Sequence, residues 1–189
     1  MISFLALLIL SPIFLLLIFS ILLLSGFPIF FQQGRVGRHG KYFTLYKFRT
    51  MVNNADQIAG GSITLGNDSR ITPVGKFLRR WKLDELPTLW NVMKGDMSFV
   101  GPRPDVPGYA DKLKDKDRSI LDLRPGITGP ATLKYANEAQ ILAEVDDPIT
   151  YNNEVIFPDK VRINLKYMDN WSLWEDIKII FRTIFRKNY

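Results

Sequence analysis

Cysteine is absent and histidine occurs once, at His39, in a chain of 189 residues. The first absence excludes a disulfide framework and any thiolate metal site, and the second excludes a histidine cluster. Carboxylate oxygen is what remains for metal binding, and it suits a hard cation such as magnesium. Charge is missing altogether from residues 1–31, yet the chain as a whole carries a net charge of +6. That balance favours an anionic partner, whether nucleic acid, an anionic membrane surface or a phosphorylated substrate. The basic residues are spread along the chain without a recognition motif, which argues against nucleic acid. At this length a single domain with a real core is expected, with no room for a second large one.

The uncharged start is nearly all aliphatic or aromatic from Ile2 to Leu24, long enough for a transmembrane helix. Ser11-Pro12 lies in its middle. Proline removes a backbone hydrogen bond and crowds the preceding turn, so a kink or break is expected there. Each arm of a broken helix reaches roughly 16 to 20 Å, short of a ~30 Å hydrocarbon core. Such a helix would enter and leave on one face, with the Ser11 hydroxyl bonding a freed carbonyl. A kinked but spanning helix is the other reading, and the residues alone leave both open.

From Gln32 to Lys41 the chain turns polar, with Gly34, Gly37 and Gly40 interleaved with Arg35, Arg38, His39 and Lys41. This is a turn-rich cationic segment suited to lipid headgroups or to a hairpin with flanking positive charge. Tyr42–Met51 reads as a strand, with Lys47 and Arg49 on one face where they suit a phosphate. Residues 53–72, containing Gly60-Gly61, read as a loop or lid. Val74–Trp81 is predicted as a helix that delivers Arg79 and Arg80, and a second helix is predicted from Leu86 to Lys94, with Pro87 in its first turn.

Asp84 and Glu85 would then head that second helix, where its dipole and the nearby arginines favour ionised carboxylates. A capping aspartate followed by a glutamate looks the same, so cap and catalyst both stay open. Gly101-Pro102-Arg103-Pro104 is a rigid turn that holds an arginine between two residues of fixed φ, lowering the entropy cost of a bidentate phosphate contact. Residues 109–123 read as a solvated helix packing through Leu113, Ile120, Leu121 and Leu123. Arg124–Pro130 reads as another rigid turn. Helices are expected over Glu138–Val145 and Pro158–Met168, with a turn at Pro148. A last helix opens on the capping box Ser172-x-x-Glu175. Its Trp174, Ile177, Ile180, Phe181, Ile184 and Phe185 face one way, with Lys178, Arg182, Arg186 and Lys187 as a basic side. That fits an interfacial helix in the headgroup plane, and equally a core-facing one.

Five co-linear stretches carry a resemblance over nearly the whole chain. They are the Ser-Pro-broken apolar segment, Tyr46–Met51, Leu83–Pro87, Asn91–Pro104 and Arg124–Gly129. Together they resemble the bacterial sugar transferases, the monotopic phosphoglycosyl transferases that act on polyprenyl phosphate. The resemblance implies an α+β fold, predominantly helical with a small sheet. A re-entrant membrane helix over residues 1–31, broken at Ser11 and Pro12, would precede a cytoplasmic catalytic domain over 32–189 with interfacial amphipathic helices. It implies a reaction in which a UDP-sugar and polyprenyl phosphate give polyprenyl-diphosphate-sugar and UMP, with Asp84 as nucleophile. Glu85 would complete the dyad and hold Mg2+ with Asp84. Arg79 and Arg103 would bind phosphate, Pro102 and Pro104 would shape the nucleotide site, and Lys47 and Arg49 would assist.

The implied location is the cytoplasmic face of the bacterial inner membrane, among its lipids, and a homo-oligomer is compatible with this. A membrane-anchored nucleotide-sugar or anionic-lipid binding module that has lost turnover is the alternative, against which the intact Asp84-Glu85 pair argues. Trp81-Lys82, Thr88 and Pro130 depart from the family's usual residues at positions expected to affect sugar choice.

Overall fold

A computed structural model describes residues 2–55 and 68–185. The loop expected over 53–72 therefore lies largely outside the described residues, as do Arg186 and Lys187. The described residues gather into two units. One holds the chain up to residue 33 and residues 44–95, and the other holds residues 34–43 and the chain from 96 onward.

The first unit opens with helix α1, Ile2–Ser25, which is continuous through Pro12. The Ser11 hydroxyl donates to the carbonyl of Leu8 at 2.7 Å. That carbonyl is the one Pro12, four residues on, has no N–H to satisfy, so the serine supplies the missing bond. α1 is long and apolar enough to cross a membrane, and most of its surface is exposed. Strands β1, Phe30–Val36, and β2, Tyr42–Phe48, form a two-stranded sheet. Helices α2, Pro73–Arg80, and α3, Thr88–Lys94, follow, and α1 packs on both.

α2 has a complete start signal. Thr72 accepts a hydrogen bond from the backbone N–H of Gly75 at 3.0 Å, and Pro73 occupies the first turn, where its missing N–H has no cost. Leu17 and Ile21 of α1 are buried against Phe48 of β2 and Leu78 of α2, with Phe14, Ile18 and Val74 packed around them. Burying such side chains stabilises by roughly 1.5–3 kcal/mol each. Gly75 is needed where it stands, because a Cβ there would fall 2.0 Å from the carbonyl oxygen of Thr50.

The second unit contains a feature the sequence reading missed. Strand β3, Ser98–Val100, pairs in parallel with a strand formed by Gly126–Thr128, and between them in the chain lies the short helix α4, Asp115–Arg118. Gly126–Thr128 is strand β4, so Arg124–Pro130 is a strand with flanking prolines rather than a rigid turn. Gly126 lets the two backbones close up, since a Cβ on it would lie 2.2 Å from the amide nitrogen of Gly101. The helix expected over 109–123 is broken into two 3-10 turns on either side of α4, although Ile120 and Leu121 are buried as expected.

The remaining elements are α5, Pro130–Lys134; α6, Glu138–Ala143; α7, Pro148–Tyr151; α8, Phe157–Asp169; and α9, Leu173–Ile184. The expected turn at Pro148 is the first turn of α7, capped by Asp147, whose carboxylate accepts from the amides of Ile149 and Thr150. The capping serine of α9 behaves as read: Ser172 accepts from the Glu175 amide at 3.2 Å. α9 buries Ile179 against Val100 and Tyr167, while Trp174, Phe181, Ile184 and Phe185 stay exposed.

Candidate functional site

The acidic pair sits in the first unit, but not where the helix pattern put it. Leu83–Glu85 is a separate 3-10 turn, and α3 begins only at Thr88 after Pro87, with no side-chain cap. Asp84 therefore does not cap α3. The turn is entered through Lys82 in the left-handed region, at φ 56 and ψ 21, a conformation that costs a non-glycine residue about 1 kcal/mol.

The Asp84 side chain is 8% exposed, and among the described residues its Oδ1 has no hydrogen-bond partner. Burial pushes its carboxyl pKa up, and the neighbouring charge of Glu85 adds to that; Lys47, Lys82 and Arg79 pull the other way without prevailing. The sequence suggested an aspartate kept ionised by a helix dipole. The structure places it off the helix and out of water, where the charged form is disfavoured.

Glu85 is paired. Lys47 Nζ meets Glu85 Oε1 at 2.6 Å, with both side chains mostly buried. β2 thus delivers Lys47 to the acidic turn. Arg49, just past the end of the strand, goes elsewhere. Arg49 is buried, and its guanidinium donates to the carbonyls of Ser25, Gly26 and Phe27 at the end of α1 and to Asn53. Arg49 was expected on phosphate, but those bonds commit it to the unsatisfied carbonyls that every helix end leaves. Arg79, in the last turn of α2, feels the charges of Asp84, Asp68 and Glu85, and its Nε donates to the hydroxyl of Thr50 at 2.8 Å. Asp84, Glu85, Lys47 and Arg79 thus share one unit.

A residue the sequence reading quoted but gave no role holds this arrangement. Asn91 of α3 is fully buried; its Nδ2 donates to the carbonyl of Thr44 at 2.7 Å, and its Oδ1 accepts from the amide of Tyr46 at 3.2 Å. The side chain mimics a neighbouring strand and fixes β2 against α3. A polar residue among the apolar positions of a short helix was the available signal.

Pro102, Arg103 and Pro104 belong to the second unit. The prolines are buried and Arg103 is exposed. The segment is tied through its carbonyls: Pro102 accepts from the amide of Gly126 at 2.8 Å, and Pro104 accepts from Arg35 at 2.8 Å. They line a recess with Val36, Gly37 and Asp105. Burial pushes Asp105 up to about 6, against the pull of Lys160, Arg35 and Arg103.

Among the described residues no cluster of three or more metal-ligating side chains occurs. A magnesium ion needs fewer protein ligands when a diphosphate supplies the rest, and the unpartnered Asp84 oxygen beside Glu85 fits that demand.

The fold and site define a mostly helical protein with a long apolar helix and a partly desolvated cluster of carboxylates and cations. Comparison narrows that class: a sequence profile of the bacterial sugar transferases matches residues 1–187, and the chain belongs to that family. It is 40% identical over 173 residues to an undecaprenyl-phosphate galactose phosphotransferase of Salmonella typhimurium, covering 84% of this chain and 33% of that protein. It is 38% identical over 170 residues to the galactosyl transferase CpsE of Streptococcus agalactiae, covering 85% of this chain and 34% of that protein. A UDP-glucose:undecaprenyl-phosphate glucose-1-phosphate transferase of Klebsiella pneumoniae is 36% identical over 191 residues, covering 98% of this chain and 38% of that protein. The chain spans about a third of the length of these relatives.

Proposed function

We propose that the chain is a phosphoglycosyl transferase that moves a phosphosugar from a UDP-sugar to polyprenyl phosphate and releases UMP. The observation that carries the mechanism is the buried, unpartnered Oδ1 of Asp84 beside the Lys47–Glu85 pair and Arg79. A carboxylate stripped of water is a better nucleophile than a hydrated one, and flanking cations offset the charge of an approaching diphosphate. An Asp84 oxygen forms a bond to the sugar-bearing phosphorus as the bond from that phosphorus to the UMP oxygen breaks. A phosphate oxygen of the polyprenyl carrier then attacks the same phosphorus and expels Asp84, giving the diphosphate-linked sugar. Mg2+ held by Asp84 and Glu85 would neutralise charge on the diphosphate. Arg79 takes a phosphate oxygen.

The acceptor is a lipid, and the exposed apolar surface of α1 supports attachment to a bilayer, as do the exposed aromatics of α9, which suit a helix in the headgroup plane. We place the membrane entry and exit of α1 on one side, bent at Pro12, with the remaining body on the cytoplasmic face of the bacterial inner membrane. Leu17 and Ile21 are buried against the first unit, while large apolar side chains stay exposed on both arms, among them Phe4 and Leu8 before Pro12 and Leu15, Phe19 and Leu23 after it, so both arms offer surface to lipid.

The test is a reaction without acceptor. The full chain in detergent is incubated with Mg2+ and a panel of UDP-sugars, and mass spectrometry follows UMP and a phosphosugar adduct. Adduct on Asp84 with one UMP per protein is expected, and Asp84→Asn should abolish both. UMP release by Asp84→Asn at the native rate would remove Asp84 from the reaction.

A further inference from the structure

The geometry points to Thr50 as a positioning residue for Arg79, turning that arginine so that its terminal amino groups face the phosphate oxygens of the donor. This rests on the reading of Asp84 and Arg79 given above. Thr50 is buried just past the end of β2, three residues on from Lys47 by way of Phe48 and Arg49. Its carbonyl accepts from the Thr72 amide at 2.9 Å and lies close to the Thr72 hydroxyl at 3.3 Å. Thr72 is the cap of α2, so the start of that helix is registered on the Thr50 backbone. The end of the same helix returns to the Thr50 side chain, through the 2.8 Å bond from Arg79 Nε.

A guanidinium carries one N–H on Nε and four on its terminal nitrogens. Among the described residues, the Nε bond to Thr50 is the hydrogen bond that the Arg79 side chain makes. The hydroxyl therefore takes the donor at the side of the guanidinium and leaves the terminal pair, the end-on fork that matches two oxygens of a phosphate. Asp84 and Glu85 lie within electrostatic reach of that fork. Held at one point only, a long arginine would spread over many rotamers; the second hold at Nε removes most of that freedom before the ligand arrives.

The discriminating substitution is Thr50→Val, which keeps shape and backbone and deletes the hydroxyl, set against Thr50→Ser, which restores it. The first readout is calorimetric binding of UDP to the full chain in detergent, which needs no turnover; the second is KM and kcat with whichever UDP-sugar the panel identifies. Thr50→Val should weaken UDP binding and raise KM by about tenfold, the size of a lost charge-assisted contact, with a smaller change in kcat and an unchanged unfolding midpoint. Thr50→Ser should stay within about twofold of the native chain. In an Arg79→Ala background the effect of Thr50→Val should disappear.

An equal effect in that background would show that Thr50 acts on packing and overturn the proposal, as would native UDP binding by Thr50→Val. Either result, with the native chain still turning over a UDP-sugar, leaves the transferase reading standing. Failure of the native chain to bind UDP or to turn over any UDP-sugar overturns both.

Discussion

Asp84 illustrates how a site residue works against its own fold. Its carboxyl pKa is raised by burial and by Glu85, so the folded state binds a proton more tightly than the unfolded chain. The stabilisation from that proton is fully present below the ordinary carboxylate range and is lost as pH rises through the folded-state value. At neutral pH the ionised group is a net burden. Asp84→Asn should therefore raise the unfolding midpoint at pH 7 while abolishing turnover. The gain should shrink toward zero as the pH is lowered below 4. Thermal unfolding of both proteins across that range is the check, and a lower midpoint for the asparagine variant at pH 7 would contradict the desolvation account.

The residues of this site were legible as a set in the sequence, though their roles were not. Asp84, Glu85, Lys47 and Arg79 do gather in one unit. Arg49 shares the strand face of Lys47 by periodicity, but the carbonyls it satisfies belong to a helix end more than twenty residues earlier, which no local pattern announces. The left-handed Lys82 that separates the acidic turn from α2 carries no glycine signal either.

At the level of elements, α2 was readable from the apolar spacing of Val74, Phe77, Leu78 and Trp81, and α9 from its local cap at Ser172. The parallel pair β3–β4 was not. Its strands are three residues each, Gly126 opens the second, and the partners lie on either side of a crossover. A stretch bounded by prolines looks like a turn until its partner is known.

Gly75 shows the same dependence on a distant chain. Nothing in the helical pattern of α2 asks for glycine in its first turn, yet the Thr50 carbonyl leaves no space for a Cβ. Gly75→Ala is helix-favouring by propensity, by up to ~1 kcal/mol. Here it should instead destabilise by about 2 kcal/mol or more, because backbone rather than a flexible side chain must move. Chemical denaturation would measure this, and an unchanged or higher midpoint would mean that α2 shifts freely over Thr50.

On the scale of the whole chain, the absence of cysteine becomes an experimental asset. Single cysteines can be introduced at Leu5 and Leu24, on either side of Pro12, without background from native thiols. In sealed inner-membrane vesicles an impermeant maleimide should label both positions from the cytoplasmic side only. Labelling from opposite sides would make α1 a spanning helix, which its 24 residues, at ~1.5 Å each, are long enough to be.

The arginine that closes the end of α1 has one more consequence. Arg49, just past the end of β2, holds the carbonyls of Ser25, Gly26 and Phe27 where α1 ends, and Lys47 on that strand grips Glu85. The helix terminus, the strand and the acidic turn are thereby fastened in series by side-chain bonds rather than by the length of a flexible tether. With α1 lodged in the bilayer as proposed, the altitude of the reacting carboxylates above the acyl chains is set by how deep the helix sits. A change in membrane thickness would then act on the reaction as a change in the reach required of the carrier's phosphate.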